Sequence, residues 1–289
     1  MPQSAWIQAR GVALQTLFRD DRVEIVRWRC SAEAGGSTAR MRRSWYLLSF
    51  THSGTFVVHA SDQAQIIDAT RAMVIRPGEP FCMTRCNESK ATGGAVAIRP
   101  DLFRAIGGSD DDSVACLGTP ASAFLLQHLL LRCAEASGDP AMTETALWIA
   151  EETLRARPES SRHGWIPTET TVDVQTLLAA KFTEQLRLPD IARAVHRSPS
   201  HLCRTFRHET GLCMRRYLQR LRICASVNDV IDRRTNLSAL AQSLGYASHS
   251  HFDDAFRTEL RMTPAELRRI AALPRLTQMR HALHSASTN

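Results

Sequence analysis

No stretch of the 289-residue chain approaches the ~18 consecutive apolar residues that a membrane span needs. The richest run, Phe124 to Leu131, already contains Gln127 and His128. The opening MPQSAWIQARGVALQ lacks a basic start followed by an apolar core, so no secretory signal is expected. No CxxC occurs, which excludes a zinc ribbon and a thioredoxin-type motif. Eight cysteines, at 30, 82, 86, 116, 133, 203, 213 and 224, are too sparse for a disulfide scaffold. The expected setting is cytoplasmic, with thiols reduced. GxSxG, Walker and GxGxxG loops are absent. His52, His59 and His128 of the first half stand too far apart for a His-x-His metal pair. No cofactor, metal site or catalysed reaction is expected.

What is present is enough chain for two hydrophobic cores. An apolar fraction of 44% and a charged fraction of 22% suit a folded protein. The net charge of +7 is unevenly spread. Residues 158–289 hold 19 Lys+Arg against 12 Asp+Glu, and residues 1–157 hold 17 of each. An excess confined to one half suggests an acidic polymer as that half's partner.

Residues 12–99 read as short strands: VALQTLF (12–18), RVEIVRW (22–28), WYLLSF (45–50), TFVVHA (55–60), QAQIID (63–68), AMVI (72–75) and AVAI (95–98). Turn signals such as Ser53-Gly54, Ser61-Asp62, Pro77-Gly78 and Gly93-Gly94 separate them. This spacing predicts a sandwich or small barrel, which commonly encloses one small ligand. The period then turns helical over 120–137. Asp139-Pro140 predicts an N-cap and first helical residue for a second helix, reaching about Arg157. These two helices carry more apolar residues than one packing face needs, so they are expected either on the barrel or across a dimer. Cys82 and Cys86 are read either as a redox or soft-metal pair or as small packed hydrophobes.

The polar, proline-bounded stretch 158–167 predicts a linker. Beyond it the chain is helical and repeats. IARAVHRSPSHLCRTFRHETGLCMRRYL (191–218) aligns with LAQSLGYASHSHFDDAFRTELRMTPAEL (240–267), with one residue inserted in the second copy. Ala192 and Ala241, Val195 and Leu244, Ser198 and Ser248, Leu202 and Phe252, and Phe206 and Phe256 correspond. Each copy predicts a helix-turn-helix. A small residue sits at the helix crossing, Gly245 stops the first helix, and a serine caps the next. Ser200, Cys203, Arg204 and Arg207 lie off the apolar stripe. Short polar groups early and arginines later suit a major groove, where bases and then phosphates are met. The stretch from about Met214 to Arg234 reads as one helix of ~30 Å. That length suits two recognition helices in grooves ~34 Å apart.

On the stretches SPSHLCRTFRHETG, RRYLQRLR, ALAQSLGYASHSHF and AFRTELRMTPAELR, residues 170–270 resemble the DNA-binding domain of the AraC/XylS family of bacterial transcription regulators. AMVIRPGEPF and the strands-then-helices order resemble that family's sensor and dimerisation domain, a cupin-like barrel. The resemblance implies an α+β chain. Residues 1–157 would be a cupin-like β-barrel with two helices, 158–167 a linker, 168–275 an all-α domain with two helix-turn-helix units, and 276–289 a tail. It implies DNA contacts at Ser198, Ser200, Cys203, Arg204 and Arg207, and at His249, Ser250, Asp253 and Asp254 in the second unit. The partners implied are double-stranded DNA, RNA polymerase, a small-molecule effector and a second copy of the chain, with no membrane. Two departures weaken the second unit: Asp253-Asp254 replace basic or polar residues, and Arg261 stands where the family commonly has glycine. The competing readings are a regulator without an effector, separable by a thermal-shift screen, and a DNA-repair methyl acceptor, separable by a zinc assay.

Overall fold

The computed structural model describes residues 6–9, 11–30, 33, 35–60, 63–85, 91–109, 114–136, 139–156 and 168–288. The expected linker at 158–167, the Ser61-Asp62 turn and Cys86 lie outside them.

The seven alternating stretches all become strands, and among the described residues there are ten: β1 (Ile7–Ala9), β2 (Val12–Arg19), β3 (Val23–Cys30), β4 (Tyr46–Ser53), β5 (Phe56–Ala60), β6 (Gln63–Ile67), β7 (Arg71–Ile75), β8 (Phe81–Arg85), β9 (Ala91–Ile98) and β10 (Val114–Gly118). A short helix, α1 (Pro100–Ala105), precedes β10. Seven strands form one antiparallel sheet in the order β1-β2-β3-β9-β4-β7-β10, and three form another in the order β6-β5-β8. Of the sandwich or small barrel that the spacing predicts, the strands form two sheets, and the barrel that the resemblance implies is not closed. The chain changes sheet at the corners around Gly54 and Asp68-Ala69-Thr70, and among the described residues no ladder bridges the two. Local alternation reveals strands, not which sheet each one joins.

The larger sheet is buried on both faces. Alternate residues Leu47, Met73, Ala95 and Ala97 pack with Trp28, Phe56 and Phe81 between the sheets. Their neighbours Tyr46, Leu48, Phe50, Val74 and Val96 face the other way, into a second core with the helices. That second layer is α2 (Ala121–Ala136) and α3 (Met142–Arg155). The helix α3 begins later than Asp139-Pro140 suggests. Its N-cap is Ala141, and Asp139 instead accepts the Ala141 N–H in a turn at 2.9 Å.

The C-terminal half comprises α4 (Glu169–Ala180), α5 (Leu188–Ala194), α6 (Pro199–Thr210), α7 (Met214–Ile231), α8 (Leu237–Ser243), α9 (His249–Leu260), α10 (Pro264–Ile270) and α11 (Leu276–Thr288). Residues 276–288, set apart in the sequence as a tail, therefore form a helix. It buries Leu276, Met279 and Leu283 in the core that α2 lines. Its Leu276 N–H donates to Asp139 Oδ2 at 2.9 Å.

Residues 122–131 of α2 are all buried. A helix apolar on every side must be covered on every side. One side of α2 meets the sheet, and the rest meets α3, α7, α9 and α11. The surplus apolar surface, expected either on the barrel or across a dimer, is thus covered by the sheet and by the chain's own C-terminal half. Among the described residues no helix is long and apolar enough to cross a membrane.

Candidate nucleic-acid interface

The first helix pair is built from local signals. Pro189 opens α5, which stops at Val195. His196 then takes the left-handed conformation, φ 51, to turn the chain. Ser198 Oγ accepts the His201 N–H at 3.4 Å and Pro199 supplies the first turn of α6. Leu202 and Phe206, one helical turn apart, are the buried residues of α6. Ser198, Ser200, Cys203, Arg204 and Arg207 are all exposed, as their spacing predicts. His201, which the spacing argument passes over, is exposed on the same first turn. Its signal is its place three residues before Arg204, on one helix face.

The second pair repeats the construction. Asn236 Oδ1 accepts from Ser238 and Ala239 N–H at 2.9 and 3.1 Å to start α8. Gly245 makes the turn at φ 79. A side chain there would be strained and would also meet the Thr183 carbonyl oxygen at 2.5 Å. Ser248 Oγ caps α9 by accepting the His251 N–H at 3.1 Å. Phe252, Ala255, Phe256 and Leu260 face inward. His249, Ser250 and Asp254 are exposed and Asp253 is half-buried. Asp253 does not reach Arg257 or Arg261, the basic residues nearest it in sequence. Its Oδ1 lies 3.5 Å from His249 Nε2, one turn back.

The helices α6 and α9 end alike. Gly211 (φ 73) and Arg261 (φ 61) are both left-handed C-caps, each donating its N–H to the carbonyl four residues back at 2.9 Å. The glycine absent at 261 is therefore a position whose backbone still takes the glycine conformation. An L-residue there costs roughly 1–2 kcal/mol, partly offset by glycine's larger loss of chain entropy. Arg261→Gly should raise stability by about 0.5–1 kcal/mol. The check is a urea midpoint that moves up with an unchanged slope. A lower midpoint would show that the Arg261 side chain contributes more than its strain costs.

Not every arginine of the basic half is available to a ligand. Arg222 Nη2 and Nη1 donate to the Glu184 and Gly245 carbonyls at 2.7 and 3.3 Å. Arg268 Nε donates to the Val230 carbonyl at 2.8 Å, and Arg220 to that of Thr119 at 2.9 Å. Arg216 pairs with Glu259 at 3.7 Å. Arg204 and Arg207 are different: both are exposed, and among the described residues neither guanidinium has a protein partner. The net charge, read from sequence, could not separate arginines that hold the fold from arginines that face solvent.

The comparisons bear on the same region. Residues 191–270 match the helix-turn-helix domain family. Over 120 residues the chain is 29% identical to the bifunctional transcriptional activator/DNA repair enzyme AdaA of Bacillus subtilis, covering 41% of this chain and 56% of that protein. Over 96 residues it is 24% identical to the Msm operon regulatory protein of Streptococcus mutans, covering 33% of this chain and 34% of that one. The chain thus spans about half and about a third of these relatives. Among solved structures, ToxT of Vibrio cholerae with bound unsaturated fatty acid aligns at TM-score 0.40 and 11% identity, over 86% of this chain and 95% of that one. Within the C-terminal half, residues 191–270 carry a helix-turn-helix domain.

Proposed function

We propose that the protein is a sequence-specific regulator of transcription that reads double-stranded DNA with two helix-turn-helix units and takes a small-molecule effector in a cupin-like N-terminal half. The observation that carries the DNA reading is the outer face of α6. There Ser200, Cys203, Arg204 and Arg207 stand exposed, and among the described residues neither guanidinium group has a partner. Early positions reach base edges and the later arginine reaches phosphate. The second unit holds DNA more loosely, because the phosphates repel the Asp253 and Asp254 carboxylates. RNA polymerase and a second copy of the chain belong to this reading as the family's partners, and no catalysed step does. The test is Arg204→Ala, measured on a duplex selected from random sequence by the full chain and on unselected duplex. Binding to the selected duplex should weaken by ~1–3 kcal/mol at one base position, with a much smaller change on the other. Equal losses on both would reduce Arg204 to a phosphate contact.

The effector reading rests on the space between the two sheets. A cavity of about 30 Å³ lies among Val12, Trp28, Met41, Met73 and Met83, with Arg43 in its wall. Among the described residues the Arg43 guanidinium has no protein partner, since only its backbone carbonyl is bonded, to the Gly78 N–H at 2.8 Å. A cation at the edge of an apolar chamber suits a small organic anion with an apolar body. Methionine side chains re-pack readily, so these three supply the give such a ligand needs.

A further inference from the structure

Tyr217 stands where three parts of the chain meet. Its ring is 1% exposed. It packs edge-on against Phe206 of α6, centroids 5.3 Å apart at 86°. Its hydroxyl accepts from Gln175 Nε2 of α4 at 3.1 Å. The same hydroxyl donates to Asp68 Oδ2, at the corner between β6 and β7 in the N-terminal half. Asp68 is also 1% exposed, and its other oxygen accepts from Thr70 N and Oγ1 at 2.8 and 2.7 Å. Burial, and then the Asp68 charge, hold the Tyr217 phenol well above its usual range, so it remains a donor. A buried carboxylate with three donors is a fixed point, because losing one leaves a desolvated charge.

The rest of α7 continues this seam on one stripe. Arg220 donates to the Thr119 carbonyl at 2.9 Å, and Asn228 Oδ1 lies 2.8 Å from His128 Nδ1. The second helix pair is held by the same half, through α9 packed on α2. The N-terminal half therefore grips both pairs, the first at Tyr217 and the second at α2.

Resting on the DNA reading above, we propose that Asp68–Tyr217 is the positioning contact by which the N-terminal half fixes the first helix-turn-helix pair relative to the second, so that both engage one duplex together. Phe206 carries that position into α6, between Arg204 and Arg207. The packing within the first pair needs only the tyrosine ring; the hydroxyl serves the relation between the pairs. Fixing that relation in advance reduces the ordering cost of binding two half-sites at once.

The experiment uses the full chain and two duplexes: one selected from random sequence, and a shortened version holding only the half protected by α6. Tyr217→Phe and Asp68→Asn should each weaken binding to the full duplex by about tenfold, equivalent to about 1.4 kcal/mol. Binding to the half duplex should stay unchanged, and the double variant should be no weaker than either single one. Asp68→Asn keeps an oxygen for Thr70, so the test stands on it if Tyr217→Phe misfolds. Equal losses on both duplexes would assign the pair a general structural role. No loss, a gain in affinity, or additive losses would each overturn the proposal. Failure of the unaltered chain to bind any selected duplex would sink the DNA reading itself, and this inference with it.

Discussion

Gly93→Ala should destabilise the protein by about 3 kcal/mol, at the upper end of what one added methyl group does in a packed core. Gly93 lies in β9, directly across from Trp28 of β3 and Thr51 of β4. A Cβ there would sit 2.1 Å from the Phe50 carbonyl oxygen and 2.4 Å from the Trp28 ring. The oxygen belongs to the β4 backbone and cannot rotate away. The ring is also held: it is 4% exposed, its Nε1 donates to Ser49 Oγ at 3.1 Å, and it meets Phe56 edge-on at 5.5 Å. Relief requires β9 to separate from a neighbour in the middle of the sheet. Gly118→Ala is the control, because nothing lies within 4 Å of a Cβ at that strand position. Urea unfolding of both variants should show a large fall in midpoint for the first and almost none for the second. An unchanged midpoint for Gly93→Ala would mean that β9 and β4 are not paired in this register. Trp28 also walls the cavity beside Arg43, so the variant should also change the shape of the proposed effector site.

Such a constraint is invisible in the chain alone, where Gly93-Gly94 reads only as a turn signal. The structure places both glycines inside a strand. Features set by a residue's near neighbours were legible. The serine caps, the Leu202–Phe206 stripe and the left-handed turn at Gly245 follow from spacing within a single turn of helix. Seven strands were legible from alternation. β8 was not, although Phe81, Met83 and Arg85 alternate inward. There the eye falls on Cys82 and Cys86 as a pair, and Cys82 proves to be a half-buried residue of that strand. Features set by distant parts of the chain were not legible. The helix α11 reads as a tail because the surface it covers lies on α2, well over a hundred residues earlier. Asp68 reads as the end of a strand because its partner Tyr217 is 149 residues away. The second unit shows both sides. Arg261 stands out in the sequence, yet its left-handed backbone and the place of Asp253 beside His249 emerge only in the folded chain.

Acid should loosen the seam between the two halves before it touches the carboxylates. His52 of β4 and His128 of α2 are stacked, ring centroids 3.8 Å apart at 21°. His52 Nε2 lies 2.7 Å from Gln127 Oε1, and His128 Nδ1 lies 2.8 Å from Asn228 Oδ1 on α7. Among the described residues, His128 Nε2 is buried without a hydrogen-bond partner. Burial pushes the His52 imidazole down from its ordinary 6.5 to about 4; the bond to Gln127 opposes this and the nearby Arg27 charge adds to it. Burial, and then His52 itself, push His128 well below its ordinary value. Both rings are therefore neutral in the fold and gain no second proton until well below pH 6.5. The unfolded chain takes up those protons from about pH 6.5 downward. Stability from this pair is thus fully present above pH 6.5 and is lost as the pH falls toward 4. For His52 alone the loss is about 3 kcal/mol, since each pH unit between the folded and unfolded titration midpoints is worth ~1.4 kcal/mol. Glu266, held low by the Thr263 backbone N–H and then its hydroxyl, contributes in a different window: its share is lost only as the pH falls below the usual carboxylate range. Thermal unfolding measured from pH 7 to 4 should show the midpoint falling across this interval. His52→Phe keeps a flat ring on His128 and removes one titrating group, so its midpoint should start lower at pH 7 and fall less steeply. The slope is the quantity to read, since the variant also leaves Gln127 Oε1 without its partner. An equally steep fall in His52→Phe and in the unaltered chain would show that His52 is not the group taking up the proton.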